Sequence, residues 1–135
     1  MDGRVVALDH GAARCGVAVS DPTGTLATPL PVVERPDTRR GLARVRAVVA
    51  AQEAVRVVVG LPLSLSGGDS DQTRAARAFA ERLQASIAVP VELHDERFTT
   101  RIAERAGGRT TSEDSRAAAV LLEDWLARHG SEVAG

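Results

Sequence analysis

Five short segments of the chain are rich in apolar and β-branched residues, and each has the length of a β-strand. The first three follow one another with only turns between them, so they predict an antiparallel meander. Each of the other two follows a segment with helical spacing. The predicted strands cover residues 4–9, 16–20, 26–33, 55–59 and 89–93.

Apolar residues recur at helical spacing elsewhere, beginning with a stripe on 38–52 that leaves four arginines on its other faces. The order β-β-β-α-β-α-β-α-α predicts one α/β domain with a mixed five-stranded sheet and helices on both faces. We place this domain at 1–130 and a frayed tail at 131–135. The predicted helices cover 38–52, 72–86, 100–106 and 112–128.

Acidic residues close two of the predicted strands. Asp9 ends the first strand, and Asp95 with Glu96 follows the fifth. Strands that follow helices are expected to run parallel to the first strand. Functional groups in such sheets gather at the carboxyl ends of the strands. The pattern therefore predicts one site that contains these carboxylates.

The last helix supplies another carboxylate. Asp114 begins a stripe that is otherwise apolar and continues through Leu121 and Trp125, so it is expected to face the sheet. A buried carboxylate is costly unless something pairs with it. Carboxylates from two strand ends and one helix suit Mg²⁺ or Mn²⁺. Two such ions about 4 Å apart can drive phosphodiester cleavage.

Simpler roles remain open for each of these acids. Asp114 also fits a capping box with Thr111, in which it satisfies backbone donors of the helix. Asp95 and Glu96 also fit a solvated strand end with Arg97 as a surface partner. Asp9 also fits a turn. A shared site is favoured because all of these acids are expected at one edge of the sheet.

Other polar residues near this edge are secondary candidates. His10 and His94 stand beside acidic residues, where either could contact a metal or a substrate proton. Arginine forks suit phosphates, and several arginines lie near the predicted edge. The candidate nucleic-acid contacts are Arg14, Arg97, Arg74 and Arg77.

Composition narrows the class of protein. The chain has 135 residues and a net charge of −1, which argues against a globally basic nucleic-acid clamp but allows local basic patches. The single cysteine, Cys15, excludes an internal disulfide, fits a reducing cytosol and is interpreted as a small buried hydrophobe. No apolar run is long enough to cross a bilayer. Zinc-type Cys/His spacing and a Walker loop are absent from the sequence.

Four segments together resemble the YqgF/RuvX family, Holliday-junction-resolvase-like members of the RNase H-like superfamily. The similarity spans nearly the whole chain. The resemblance implies an RNase H-like fold and a cytoplasmic, metal-dependent nuclease that matures the 5′ end of pre-16S rRNA, with junction-DNA resolution as the competing activity. The matching segments are Leu8-Asp9-x-Gly11 with Arg14-x-Gly16-Val17-Ala18-Val19-Ser20-Asp21, then Val58-Val59-Gly60-Leu61-Pro62-Leu63, then Asp95-Glu96-Arg97-Phe98-Thr99-Thr100, then Asp114 through Trp125-Leu126.

The resemblance also implies the acidic set by position: Asp9, Asp114 and either Asp95 or Glu96, with Mg²⁺ or Mn²⁺ as the metal. Strand alternation puts Asp95 with the apolar side chains of its strand and so favours Glu96 on the other face. The chain departs from the family pattern at Ala12 and Ala13, where a hydroxyl and a basic residue are common. The segment before Asp114 is also shorter than usual in the family. Both differences are expected to affect substrate binding rather than the fold.

Competing functions follow from the same residues. An actin-like ATPase also opens with Asp-x-Gly after a strand, but it needs a second lobe for which this chain leaves no room. A non-catalytic nucleic-acid-binding or ribosome-assembly module is the other alternative, and the turn at Ala12 and Ala13 keeps it open. The expected partners are structured RNA, including pre-rRNA in ribosomal particles, or branched DNA, with no membrane. A homodimer remains open.

Overall fold

The computed structural model describes residues 3–62, 70–96 and 111–134. The strands and helices in these ranges follow the predicted order. They are β1 Arg4–Asp9, β2 Arg14–Ser20, β3 Ala27–Glu34, α1 Arg39–Ala51, β4 Ala54–Leu61, α2 Asp71–Ser86, β5 Val91–Asp95 and α3 Thr111–Ala134.

The five strands form one mixed sheet in the order β3-β2-β1-β4-β5. β1 pairs antiparallel with β2, and β2 pairs antiparallel with β3, which is the predicted meander. β1 pairs parallel with β4, and β4 pairs parallel with β5. The predicted α/β architecture is therefore confirmed, and the carboxyl ends of β1, β4 and β5 meet at one edge of the sheet.

Alternation along β1 divides the interior into two layers. Val6 and Leu8 pack with side chains of α1 and α2 on one face. Val5 and Ala7 pack with side chains of α3 on the other. Helices therefore cover both faces, as predicted. Asp9 is in phase with Val5 and Ala7, so it lies on the face that α3 covers.

Polar caps fix where α1 and α2 begin. The Thr38 hydroxyl accepts a hydrogen bond from the Gly41 N–H, and the Ser70 hydroxyl accepts one from the Thr73 N–H. Such caps satisfy backbone donors that a helix leaves unpaired at its first turn. Because α2 begins at Asp71, its first turn lies at the same edge of the sheet as the carboxyl end of β4.

The β2–β3 turn is organised by one aspartate. The Asp21 carboxylate accepts hydrogen bonds from the backbone N–H groups of Leu26 and Thr25, both at 2.8 Å. The bond from Leu26 is the main reason that the pKa of Asp21 lies well below its ordinary value. This carboxylate stabilises a turn and lies outside the candidate site.

Cys15 lies in the core on the α1 and α2 face and is fully buried. Burial raises the pKa of its thiol far above the ordinary value, and the negative charges of Asp37 and Asp114 add to the effect. The thiol is thus protonated at neutral pH, and the interpretation of Cys15 as a buried hydrophobe is confirmed.

Several element boundaries differ from those predicted: β2 begins at Arg14 instead of residue 16, β4 ends at Leu61 instead of residue 59, and β5 begins at Val91 instead of residue 89. β5 runs to Asp95, so His94 and Asp95 lie within the strand, because pairing with β4 continues to Leu61 and Asp95. The helix α3 continues to Ala134 instead of ending at Arg128, since a single glycine costs a helix only about 1 kcal/mol.

The predicted helix at 100–106 lies outside the described residues. The division of the chain at residue 130 stays a prediction. Among the described residues, no helix has the length and apolar character that crossing a bilayer requires.

Candidate active site

A cavity of about 460 Å³ lies at the carboxyl end of β1. Its walls come from the β1–β2 turn, the residue after β4, the first turns of α2 and the start of α3. Both Asp9 and Asp114 line it, so two predicted site residues 105 positions apart in sequence share one cavity. The lining residues are Asp9, His10, Gly11, Ala12, Ala13, Arg14, Pro62, Asp71, Gln72, Ala75 and Asp114.

Gly16 explains how these two carboxylates come together. It is the cross-strand partner of Asp9. A Cβ atom placed on Gly16 would lie 2.1 Å from the backbone oxygen of Asp114, far inside contact distance. The absence of a side chain therefore lets the backbone of α3 lie directly on the sheet beside Asp9. The Ser115 hydroxyl, which accepts a 3.2 Å hydrogen bond from the Val17 N–H, anchors this approach.

Asp114 is buried, with only 7% of its surface exposed. Its Oδ2 atom accepts a 2.8 Å hydrogen bond from Nε of Arg14, a partly exposed residue at the start of β2. This ion pair offsets part of the cost of burying the carboxylate. The alternative of a capping box depends on the Thr111 side chain, which lies outside the described residues.

Glu96 lies on the same face of the sheet and is only 2% exposed. A Cβ atom placed on Gly60 would lie 2.3 Å from Glu96 Oε2, so the bare backbone of β4 makes room for the carboxyl group. Gly60 is in phase with Val58, which packs against α3. A solvated strand end is therefore wrong for Glu96. Asp95 alternates to the opposite face and is half-buried.

The three buried acids thus share the α3 face at one edge of the sheet. Asp9 and Asp114 line the cavity, and Glu96 is held beside Gly60. Within residues 3–62, 70–96 and 111–134, the side chains do not form a ready-made cluster of three or more metal ligands. The donors are all carboxylate oxygens, which is the set that Mg²⁺ and Mn²⁺ prefer. Their role as ligands stays a prediction.

The two histidines are held by other carboxylates. Nε2 of His10 lies 3.0 Å from both oxygens of Asp37, which also accepts a 2.7 Å bond from Arg82. His10 still lines the cavity. Nε2 of His94 lies 2.6 Å from Asp124 Oδ2 on α3, so this pair joins α3 to the edge strand β5. His94 does not line the cavity.

The candidate nucleic-acid arginines are dispersed. Arg14 lines the cavity and binds Asp114. Arg74 is exposed and pairs with Asp71 in the first turn of α2. Arg77 is half-buried on the same helix, and Arg97 lies outside the described residues.

Sequence reasoning missed the contribution of α2 to the cavity. Asp71, Gln72 and Ala75 line it because α2 starts at its rim. The spacing of Ser70 and Thr73 is the cap signal that could have placed this start. The spacer role of Gly16 and Gly60 was also missed, although glycine inside a strand is a sign of close backbone approach.

The sheet order and the acids on β1 and α3 define an RNase H-like fold with an acidic site at one edge. The structure of "T. thermophilus RuvC in complex with Holliday junction substrate" superimposes with a TM-score of 0.55 at 16% identity, covering 96% of this chain and 97% of that one. At that identity the likeness concerns the fold alone.

Sequence comparison identifies the family. The model described as "RuvX: Holliday junction resolvase" matches residues 3–128. A protein of Koribacter versatilis named "Putative pre-16S rRNA nuclease" is 42% identical over 95% of this chain and 89% of its own length. One of the same name from Nocardioides sp. is 45% identical over 87% of this chain and 82% of its own length. The chain belongs to the RuvX family.

Proposed function

We propose that this protein is a metal-dependent endonuclease that hydrolyses phosphodiester bonds and processes the 5′ end of pre-16S rRNA. The observation that carries the proposal is the shared cavity of Asp9 and Asp114, two buried carboxylates on a strand end and a helix start. A buried carboxylate is kept where a cation, either a basic side chain or a metal ion, balances its charge. Two relatives above 40% identity are named "Putative pre-16S rRNA nuclease".

In this proposal the carboxylates of Asp9, Glu96 and Asp114 hold Mg²⁺ or Mn²⁺, and Asp95 is the weaker candidate because it faces the other side of the sheet. The metal, when bound, supplies an activated water and stabilises the leaving oxygen. Arg14 orients the Asp114 carboxylate through its Nε atom. The rest of its guanidinium fork is free of that bond and suits a phosphate oxygen at the cavity.

A four-way DNA junction is the second candidate substrate. The family model carries the description of a Holliday junction resolvase, and the RuvC fold covers nearly the whole chain. A non-catalytic ribosome-assembly module is the third candidate, favoured by the side chains of Ala12 and Ala13, which line the cavity without polar groups. For the main proposal we place the reaction in the cytoplasm, on free pre-rRNA or on ribosomal particles.

Cleavage assays separate these candidates. A pre-16S transcript and a four-way DNA junction are incubated with the protein and Mg²⁺, Mn²⁺ or a chelator. We expect cleavage of the RNA at a discrete 5′ position with either metal and none with chelator. Cleavage of the junction alone would establish the resolvase, and binding without cleavage of either substrate would favour the assembly module.

Gly60→Ala is expected to reduce cleavage at least about tenfold while the fold is kept. The new methyl group meets the end of the Glu96 side chain, which can swing away at a stability cost of about 1 kcal/mol. The carboxylate then leaves its position. Single-turnover cleavage and urea unfolding measure the two effects.

The control for Gly60→Ala is a double-mutant cycle with Glu96→Gln. If Gly60 acts through the Glu96 carboxylate, the double variant is no slower than Glu96→Gln alone. Additive losses would show that Gly60 acts by another route.

A further inference from the structure

Positive charge is concentrated on the segment that leads into and forms α1. Residues 35–51 contain five arginines and one aspartate, a net charge of +4. The remaining chain therefore carries −5. Arg39, Arg40, Arg44 and Arg46 are all exposed. A protein with a slightly negative total charge thus has one strongly positive surface helix.

Several arginines elsewhere in the described part of the chain pair with carboxylates, which these four do not. Arg56, Arg74 and Arg128 each form an ion pair with a carboxylate. Within residues 3–62, 70–96 and 111–134, no carboxylate pairs with the four guanidinium groups of α1. Their charges are left available to an external partner.

The position of the charges is also unfavourable for the helix itself. Arg39 and Arg40 are the first two residues of α1, and no acidic residue lies in its first turn. The amino end of a helix carries partial positive charge, so each cation there costs about 0.3–1 kcal/mol. Positive side chains at the amino end of a helix, with no carboxylate partner within the protein, indicate a role in binding another molecule.

The arginines form two rows on the solvent side of α1. The buried stripe contains Val45 and Val49. Helical spacing places Arg40 with Arg44 on one flank of the exposed face, one turn apart. Arg39 and Arg46 lie on the other flank, about 10 Å apart along the axis. A polyanion with regularly spaced charges can bind along these two rows of guanidinium groups.

This surface starts at the rim of the cavity. The backbone N–H of Arg35 donates a 2.9 Å hydrogen bond to the carbonyl of Ala13, a cavity-lining residue. Asp37 binds His10, which lines the cavity as well. α1 begins two residues after Asp37 and leads to β4, whose first residue pairs with the start of β1. It therefore runs from the site edge of the sheet to the opposite edge.

We propose that these four arginines, hereafter the α1 arginine surface, bind the sugar-phosphate backbone of a nucleic-acid substrate beyond the bond that is cut. The inference deepens the proposed function and rests on it for the nature of the substrate. Guanidinium groups recognise phosphate oxygens through forked hydrogen bonds, and several such contacts release counterions and strengthen binding. RNA and DNA share this backbone, so the experiment compares both.

The test is equilibrium binding of the full chain in chelator, measured by fluorescence anisotropy over a series of salt concentrations. The probes are an RNA duplex and a DNA duplex of the same sequence. The variants are Arg39→Gln with Arg46→Gln, and Arg40→Gln with Arg44→Gln. The control is Arg56→Gln with Arg128→Gln, which removes the same charge from the half-buried Arg56–Glu92 pair and the exposed Arg128–Asp124 pair.

We expect each α1 double variant to bind its preferred duplex at least about tenfold more weakly at ~0.1 M salt, with the salt slope reduced by about two. The control stays within about twofold of the unmodified protein. Glutamine is nearly as good a helix former as arginine, so thermal unfolding should show no loss of stability. The probe that binds more tightly shows whether the α1 arginine surface prefers RNA or DNA.

Equal losses in the α1 variants and the control would overturn the proposal, because net charge alone would then explain binding. Absence of binding to both probes by the unmodified protein would overturn it too. Specific loss of binding in the α1 variants of a protein that cuts nothing would support the surface and refute the nuclease. If the unmodified protein cleaves and the α1 variants bind as tightly as it does, the nuclease is supported and the α1 arginine surface is refuted.

Discussion

Replacement of Asp9 by asparagine is expected to lower metal-dependent cleavage at least about a thousandfold, a loss of ~4 kcal/mol in transition-state stabilisation. Asp9 is 5% exposed at the end of β1 and shares the cavity with Asp114. Asparagine keeps the shape but removes the charge that would hold a divalent cation. Single-turnover cleavage of the pre-16S transcript in Mg²⁺ measures the effect.

The matched control for Asp9→Asn is Asp95→Asn. It makes the same chemical change at the end of β5, on the opposite face of the sheet, and is expected to change the rate by less than about threefold. Urea unfolding of Asp9→Asn establishes that the variant is folded under the conditions of the assay, so that a lost rate reports the lost charge. Full activity in Asp9→Asn would move the chemistry away from this cavity.

Gly16→Ala is expected to destabilise the fold by about 3 kcal/mol, the upper end of the usual cost of overpacking. Its Cβ atom would lie 2.1 Å from the Asp114 backbone oxygen, and the backbone of α3 cannot yield as a side chain can. Asp114 would be displaced from Asp9 as α3 moves. Urea unfolding measures the stability, and activity should fall even under conditions in which the variant is fully folded.

Ala18→Gly is the control for Gly16→Ala. Ala18 lies two residues along the same strand and packs against α3, and the reverse substitution there should cost only about 1 kcal/mol. A surface substitution typically changes the free energy of unfolding by less than about 0.5 kcal/mol. A change as small as this in Gly16→Ala would contradict the close approach of α3 to β2.

The sheet and the faces of its strands could be predicted because they depend on local patterns. Alternation along β5 was enough to put Asp95 and Glu96 on opposite faces of the sheet. The β-branched runs and the intervening helical stripes were enough to predict which strands are parallel. The strands, their faces and their directions can each be inferred from a few consecutive residues.

The detailed site could not be predicted, since it depends on contacts between distant segments. Arg14 and Asp114 are a hundred residues apart, and no local pattern pairs them. The pairing of His10 with Asp37 likewise depends on how the start of α1 packs beside β1. The carboxyl end of β5 was placed too early because its last residues are polar, and pairing with β4 outweighs their weak strand propensity.

The central claim is that Asp9, Glu96 and Asp114 hold a divalent cation. Anomalous X-ray scattering from crystals of the protein grown with Mn²⁺ tests it most directly. We expect an anomalous peak at about 2.0–2.3 Å from carboxylate oxygens of these residues, a distance typical of small divalent cations, and no such peak in Asp9→Asn. A Mn²⁺ site elsewhere in the molecule, with none between β1 and α3, would contradict the account.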